Sequence, residues 1–355
     1  MATGAPWTEG TMSSFWSLPT SNANLTGANS TQGCLLSADF QYIMFPVVYS
    51  LVFVLGTTSN AAALWFFFRT KETLSPSDVF MVNLAAIDLV FALTLPFRIV
   101  YHALGNEWTF GEWGCKITGS LFFANLYGSS LFLTCICVDR YIAVVHPLRS
   151  LALRRPRYRV LVCLAVWLVL AACILYLMLK GPLTSHFPDG RTACLENFSS
   201  GSWSGRISSI SIVGAVIGFF MPVLVIAVCY SLIARRLLEP TAGNAVHAVK
   251  RRALRTVLVV LCVFLVCFVP YHVVQLVHTL LRLNPGPASC RIIRFTYSAR
   301  RVTMALTSLN SCLDPLIYSL GRRFSPSPRA WCCGRRRRAS LTITFRSKET
   351  TRSKS

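Results

Sequence analysis

Seven stretches of this chain, residues 42–68, 76–104, 111–146, 158–179, 207–237, 248–281 and 292–320, are long and largely apolar. Each reaches or exceeds the roughly 20 residues that a helix needs to cross the hydrocarbon of a bilayer. A short apolar run can be a buried strand. Runs this long with little charge read as membrane helices, because a helix satisfies its own backbone hydrogen bonds where no water is present. Composition agrees: 54% of the 355 residues are hydrophobic and 14% are charged, against about 45–50% and about 25% in soluble domains. The fold class expected is therefore an all-α membrane protein, a bundle of seven transmembrane helices with no room left for a second domain of ordinary size. Pro96, Pro222, Pro270 and Pro315 fall inside these stretches, where a bundle tolerates them as bends.

Orientation follows from the basic residues. Residues 1–41 contain no Lys or Arg, and Asn24-Leu25-Thr26 and Asn29-Ser30-Thr31 there are glycosylation sequons. The first inner loop carries Arg69 and Lys71; the second, with the end of the stretch beside it, Arg149, Arg154, Arg155, Arg157 and Arg159; and the third, with the stretch ends on either side of it, Arg235, Arg236, Lys250, Arg251, Arg252 and Arg255. The tail is also strongly basic. The positive-inside rule then sets the N-terminus outside and the C-terminus inside a multi-pass protein of the plasma membrane. The net charge of +22 reads as a cytoplasmic surface facing anionic membrane lipid, not as a nucleic-acid footprint. No cleavable leader is visible, so the first stretch is expected to direct insertion. Four regions result: an extracellular glycosylated arm (1–41), the helix bundle (42–320), a short amphipathic eighth helix (321–333) and a disordered basic tail (334–355) whose serines and threonines are open to phosphorylation.

The cysteines divide by depth. Cys135, Cys137, Cys163, Cys173, Cys229, Cys262, Cys267 and Cys312 lie within the stretches and read as small packing residues, not a metal site. Cys34, Cys115, Cys194 and Cys290 all fall on the outer side, where pairing is expected. Four cysteines allow three connectivities; the favoured one joins Cys115 to Cys194 and Cys34 to Cys290. Cys332 and Cys333, past the amphipathic stretch, suit palmitoylation.

A set of motifs in fixed order carries a family resemblance. They are Asn83-Leu84-Ala85-Ala86-Ile87-Asp88 in the second stretch, Asp139-Arg140-Tyr141 at the inner end of the third and Trp167 in the fourth. Phe268-Val269-Pro270 follows in the sixth and Asn310-Ser311-Cys312-Leu313-Asp314-Pro315-Leu316-Ile317-Tyr318 in the seventh. Together with the outer cysteines they resemble the rhodopsin-like G-protein-coupled receptors from about Tyr42 to Cys333. Phe268 stands where most such receptors carry Trp, and Asp314 where most carry Asn. Both variants are similar to the branch that holds the purinergic nucleotide and lysophospholipid receptors.

The resemblance implies roles. Arg140 would meet a G protein after release from Asp139, its expected resting partner, with Tyr141, Tyr230 and Tyr318 nearby. Phe268, Pro270, Asp314 and Pro315 would belong to the parts that rearrange. Asp88, Asn125, Ser129, Asn310, Ser311 and Asp314 would supply oxygens for an allosteric sodium ion; Asp88 hydrogen-bonded to Asn310 without an ion is the alternative. No other cofactor is implied. Partners implied are a heterotrimeric G protein of the Rho-linked or phospholipase-C-linked families, with arrestin and receptor kinases.

Arg98, Arg300 and Arg301 should converge at the outer mouth, with Lys180 and Arg191 on the rim; clustered guanidiniums favour a small anionic ligand bearing phosphate or carboxylate. The outer third stretch has no acid for an amine ligand, and the seventh has no Lys for a retinal Schiff base. His272 resembles the histidine of nucleotide receptors, yet Gln275 stands where those usually carry Arg or Lys. The loop Cys194-Leu195-Glu196-Asn197-Phe198-Ser199 is similar to that of the non-endothelial-differentiation-gene lysophosphatidic acid receptors, and Asn197 is a third sequon. The expected ligand is thus a lysophosphatidic-acid-like lipid, its chain among Phe122, Phe123, Tyr127 and the fourth and fifth helices; a nucleotide or cysteinyl leukotriene is the alternative. No enzymatic pattern is present: the six histidines are scattered and no His-Glu-x-x-His occurs. No internal repeat of the transporter kind is found, which leaves a non-signalling binding receptor or a transporter as remote readings.

Overall fold

The computed structural model describes residues 38–69, 78–152, 156–196, 207–238, 244–283 and 290–322, with positions 198, 201 and 205. Asn24, Asn29, Asn197, Cys34, Cys332, Cys333, the eighth helix beyond Arg322 and the tail lie outside the described residues, as does the side chain of Tyr318.

Among the described residues, six helical segments are long and apolar enough to cross a membrane: Gln41–Arg69, Asp78–Ala103, Gly111–Val145, Arg157–Leu179, Ser208–Arg236 and Ala253–Leu283. The third is the axis of the bundle. It is 61% buried along its apolar window, against 22% for the first and fourth, and it packs on the second, fourth, fifth and sixth. The outer faces of the first and fourth spans leave Ile43, Val47, Leu51, Leu161, Leu164 and Leu168 exposed. In water that continuous apolar surface would drive association; in a bilayer it is the lipid face.

The seventh stretch differs from the other six. It forms two helices, Cys290–Ser308 and Asn310–Arg322, and neither alone is both long and apolar enough to span a membrane. The reason is chemical: its outer half carries Arg291, Arg294, Arg300 and Arg301, and its inner half Asn310, Ser311 and Asp314. Packing nevertheless places both halves in the bundle, against the first, second and sixth spans. The polar residues turn inward, so Thr303, Thr307, Ser308, Asn310, Ser311 and Asp314 are all buried.

Proline sets the local geometry. The second span breaks after Ala92 and resumes at Leu95, with Pro96 in its first turn. In the fifth and sixth spans, the wide turns Val216–Phe220 and Phe264–Phe268 lie just before Pro222 and Pro270. A proline has no N–H for the carbonyl four residues back. For Pro222 that carbonyl is Gly218 O, and Ser130 Oγ of the third span donates to it at 2.7 Å. The bend is thus stabilised from the neighbouring helix, as a bundle in lipid requires.

Buried polar side chains join the spans. Asn60 Nδ2 donates to Ser311 O at 2.8 Å, and Trp167 Nε1 donates to Asn83 Oδ1 at 2.7 Å. Small residues do the rest. A Cβ on Gly214 or Gly218 would overlap the ring of Tyr127, so the fifth helix approaches the third only because both are glycine. Gly218→Ala is expected to destabilise the bundle by about 1–3 kcal/mol through overpacking. Thermal unfolding of detergent-purified protein should show this, and Tyr127→Leu should recover part of the loss; no recovery would mean the strain lies elsewhere.

Candidate ligand mouth and cytoplasmic switch

The outer end of the bundle is roofed by a hairpin of two strands, β1 (Thr184–His186) and β2 (Thr192–Cys194), paired antiparallel with Thr184 opposite Cys194. Three kinds of contact pin it. Cys194 is bonded to Cys115 at the top of the third span. Glu112 accepts hydrogen bonds from the backbone N–H of Leu183 (2.8 Å) and Thr184 (3.1 Å) and from the Thr184 hydroxyl. Trp108 N donates to Thr192 O at 2.9 Å, tying the first outer loop to β2. Cys290 is disulfide-bonded as well, and its expected partner Cys34 lies outside the described residues.

Past the bridged cysteine, Leu195 turns through a positive φ of 62°, and its side chain lies against Gly119. That turn aims Glu196 into the bundle, where only 2% of it is exposed. Its carboxylate forms an ion pair with Arg301. Tyr101 Oη donates to it at 2.9 Å, Tyr297 Oη at 3.3 Å and Asn106 Nδ2 at 3.4 Å. Such a buried charge persists only when it is paired and hydrogen-bonded this fully.

Beside this pair is a cavity lined by Tyr49, Phe91, Arg98, His102, Phe122, Glu196, Arg301 and Met304 among others. Arg98 is buried, its guanidinium 5.4 Å over the Trp108 ring, and its Nη2 has no hydrogen-bond partner. The Nε atoms of Arg300 and Arg301 are likewise buried without acceptors. Charged donors left unpaired in a low-dielectric site are expensive, and an entering anion would satisfy them.

The expected ligand set is therefore divided. Arg98 and Arg301 reach the cavity with Phe122. Phe123, Tyr127, His272 and Gln275 form an adjoining group toward the fifth and sixth spans, linked through rings: Phe123 on Tyr127 (6.4 Å), Tyr127 on His272 (5.9 Å) and His272 on Phe219 (4.6 Å). Gln275 Nε2 donates to Ser211 Oγ at 3.0 Å. The rim residues go elsewhere. Lys180 is exposed. Arg191 bonds Asp189 Oδ2 at 2.7 Å and the Gly105 carbonyl, bracing the hairpin; the same guanidinium holds the Asp189 carboxyl below its usual range. Glu196, Tyr101 and Tyr297 are site residues that sequence reasoning misses. The available signal is position: Glu196 follows the bridged Cys194 by two residues, so its backbone cannot leave the mouth.

Deeper, the buried Asp88 accepts hydrogen bonds on Oδ1 from Asn125 Nδ2 and Ser311 Oγ, both at 2.8 Å, while Asn125 Nδ2 also lies 3.4 Å from Ser129 Oγ. Asn310 turns to Asp314 (2.9 Å) and not to Asp88. Three buried oxygens, Asp88 Oδ2, Asn310 Oδ1 and Asp314 Oδ1, have no partner. All-oxygen chemistry with two carboxylates fits a hard monovalent or divalent cation.

At the inner end, one expected contact is corrected. Asp139 pairs with Arg159 of the fourth span, with Nη2 to Oδ1 at 2.5 Å and Nε to Oδ1 at 2.8 Å, and not with its neighbour Arg140. Adjacent residues on a helix point about 100° apart, whereas Arg159 comes in from a facing helix. Tyr141 Oη lies 3.1 Å from His146 Nε2. Tyr230 is half-buried on the fifth span. Phe268 stacks on Phe264 at 4.8 Å, Pro270 follows that turn after Val269, and Pro315 sits inside the last helix.

Comparison with known proteins meets this geometry. Residues 59–318, well over half of the chain, match the family model of the 7 transmembrane receptor (rhodopsin family). The chain is 40% identical over 303 residues to human purinoceptor 4, covering 85% of this chain and 81% of that protein. It is 38% identical over 295 residues to mouse lysophosphatidic acid receptor 4, covering 83% and 78%. It is also 38% identical over 309 residues to the human uracil nucleotide/cysteinyl leukotriene receptor, covering 86% and 81%. Its relatives are signalling receptors and not enzymes. A helix bundle with an outer bridge from third span to hairpin, a polar core around Asp88 and Asp314, and a matched family model over most of its length make this chain a member of the rhodopsin family of seven-transmembrane receptors, in its purinergic and lysophosphatidic acid receptor branch.

Proposed function

We propose that this receptor stands in the plasma membrane with its N-terminus outside, binds an extracellular lysophospholipid of the lysophosphatidic acid type, and activates heterotrimeric G proteins. The observation that carries the ligand class is the set of unpaired buried guanidinium atoms on Arg98, Arg300 and Arg301. Arg98 and Arg301 at the cavity outnumber the single carboxylate of Glu196, and Arg300 adds a further buried cation nearby, so the mouth keeps an excess of positive charge for an anion. A phosphate monoester carries about −1.5 to −2 at neutral pH and suits such a site. The chain of the lipid would lie among Phe122, Phe123 and Tyr127, with His272 Nε2 and Gln275 Oε1, both buried without partners, facing its polar glycerol. Lys180 and Arg191 fall outside this binding set.

A nucleotide or cysteinyl leukotriene ligand is the second reading, favoured by the names of two of the relatives reported above. In either case Arg140, Tyr141, Tyr230 and Tyr318 would face the G protein, and bending at Pro222, Pro270 and Pro315 would open the inner end. Asp88, Asn125, Ser129, Asn310, Ser311 and Asp314 would hold a sodium ion, whose charge would compensate the two acids and stabilise the closed bundle. The Rho-linked and phospholipase-C-linked G proteins, arrestin and receptor kinases are the partners this reading includes.

GTP-analogue exchange in membranes expressing the chain tests it. Lysophosphatidic acid should stimulate exchange, uracil and adenine nucleotides and a cysteinyl leukotriene should not, and replacing sodium by potassium should raise the basal rate. Arg98→Ala should lower potency by about 30-fold or more, the loss expected of a buried charged contact, and Arg140→Ala should silence exchange with ligand binding intact. Stimulation by a nucleotide or leukotriene alone would overturn the lipid assignment.

A further inference from the structure

The first span contributes one polar group to the mouth. Its buried residues Gln41, Phe45, Tyr49, Val52, Gly56 and Asn60 recur at the spacing of a single helix face, and the span packs on the second and seventh. Tyr49 is 2% exposed and lines the cavity that also holds Arg98 and Arg301. Its ring lies 5.0 Å from that of Phe45, which stacks in turn on His102 at 4.2 Å. His102 is pinned as well. The Glu196 carboxylate can only accept, so Asn106 turns its Nδ2 there, 3.4 Å away, and its Oδ1 accepts from His102 Nδ1 at 2.7 Å. The wall that carries Tyr49 is thus tied to the same carboxylate that pairs with Arg301. A buried tyrosine hydroxyl ordinarily has a partner. The hydroxyl of Tyr49 forms no hydrogen bond among the described residues.

We propose that Tyr49 is a ligand-binding residue: with Arg98 and Arg301 it completes a three-donor cradle for a terminal phosphate, and so makes the mouth selective for a phosphate monoester over a phosphodiester. The proposal rests on the lysophospholipid reading above and adds to it the form of the headgroup. Arg98 Nη2 and Arg301 Nε are buried without acceptors, and the Tyr49 hydroxyl is a third donor on the same cavity. The charges of both arginines act on that hydroxyl. A phosphate monoester ends in three oxygens that can accept, one for each donor, and charge-assisted bonds of this kind are the strong ones. A diester ends in two, because its second alkyl group blocks the third. A hydroxyl supplies the third contact without adding another charge to a site that already sets two guanidiniums against one carboxylate, and an unpaired buried charge is far more costly than an unpaired hydroxyl.

The test compares lysophosphatidic acid with its methyl phosphodiester, the same lipid carrying one methyl group on the phosphate. Both are assayed by GTP-analogue exchange in membranes of the full chain, matched for surface expression. Potency of the diester is read as stimulation or, where it only occupies the site, as competition with lysophosphatidic acid. The parental receptor should favour the monoester by about tenfold or more, the range of one hydrogen bond to a charged group. Tyr49→Phe keeps the ring and its packing on Phe45 and removes only the hydroxyl. It should lower the potency of lysophosphatidic acid by about tenfold and that of the diester by less than about twofold, since the diester has no third oxygen to lose. Equal losses for the two ligands would overturn the proposal, because a packing defect does not distinguish them. So would an unchanged potency of lysophosphatidic acid in Tyr49→Phe, which would sink the cradle alone and leave the lysophospholipid reading standing. Silence of the parental receptor toward lysophosphatidic acid would instead overturn that reading, and the cradle with it.

Discussion

Arg301→Ala is expected to abolish the response to lysophosphatidic acid and to reduce the amount of receptor at the cell surface. The two losses have different causes. The first is removal of a cation from the mouth. The second arises because Glu196 is left buried beside Tyr101 and Tyr297 with its ion pair gone, and breaking a buried pair from one side costs about 3–5 kcal/mol. Arg301→Ala combined with Glu196→Gln should separate them: the second change removes the stranded charge, so surface expression returns while the response does not. Glu196→Gln alone should act in the opposite direction. With no internal carboxylate on Arg301, a phosphate headgroup meets less competition, and potency should rise by about tenfold, the range of one charged contact exchanged for another. Flow cytometry of an N-terminal epitope reads expression, and GTP-analogue exchange reads potency. A double variant that still fails to reach the surface would remove the ion pair as the cause, and a Glu196→Gln receptor with weaker potency would show that the carboxylate contacts the ligand instead of competing with it.

Cys115→Ser and Cys194→Ser should each cause a comparably large loss, and the double variant should be no worse than either single one. The bridge closes a separation of 79 residues, and loss of such a link destabilises by about 2–4 kcal/mol. Its functional effect reaches further than stability. The hairpin carries Leu195 and Glu196 into the mouth, and without the bridge it is held there by hydrogen bonds alone, among them those of Glu112, Trp108, Glu107 and Arg191. Brief reduction of intact cells should therefore lower lysophosphatidic acid potency before surface expression falls. Equal potency in the serine variants that do reach the surface would show that the remaining contacts suffice to hold Glu196 in place.

Much of the architecture is legible from hydropathy along the chain alone. Six spans read directly, because twenty apolar residues in a row have one solvent that suits them. The seventh reads from its motif, Asn310 to Tyr318, more than from its hydropathy, since its four outer arginines and its polar inner half weaken the apolar signal. The eight cysteines within the spans are free, as small packing residues should be. The bridge between Cys115 and Cys194 is the favoured one. At the mouth, Arg98 and Arg301 meet at one cavity, but Lys180 and Arg191 do not, because the hairpin consumes Arg191 in holding Asp189 and Gly105. Residue type names a cationic rim; hydrogen bonding decides which cations are free.

The sequence by itself determined the class of solvent, the number of crossings and the family, since these depend on composition along the chain and on motifs whose order survives without coordinates. Only the tertiary structure decided which charges meet. Glu196 neutralises Arg301 because a bridged hairpin and a positive φ at Leu195 aim it inward, 105 residues of chain away from its partner. Asp139 turns from its neighbour Arg140 to Arg159 because a facing helix offers a buried guanidinium where the helix's own next residue points away. Electrostatic pairing depends on distance and burial together, and neither is written in the local sequence.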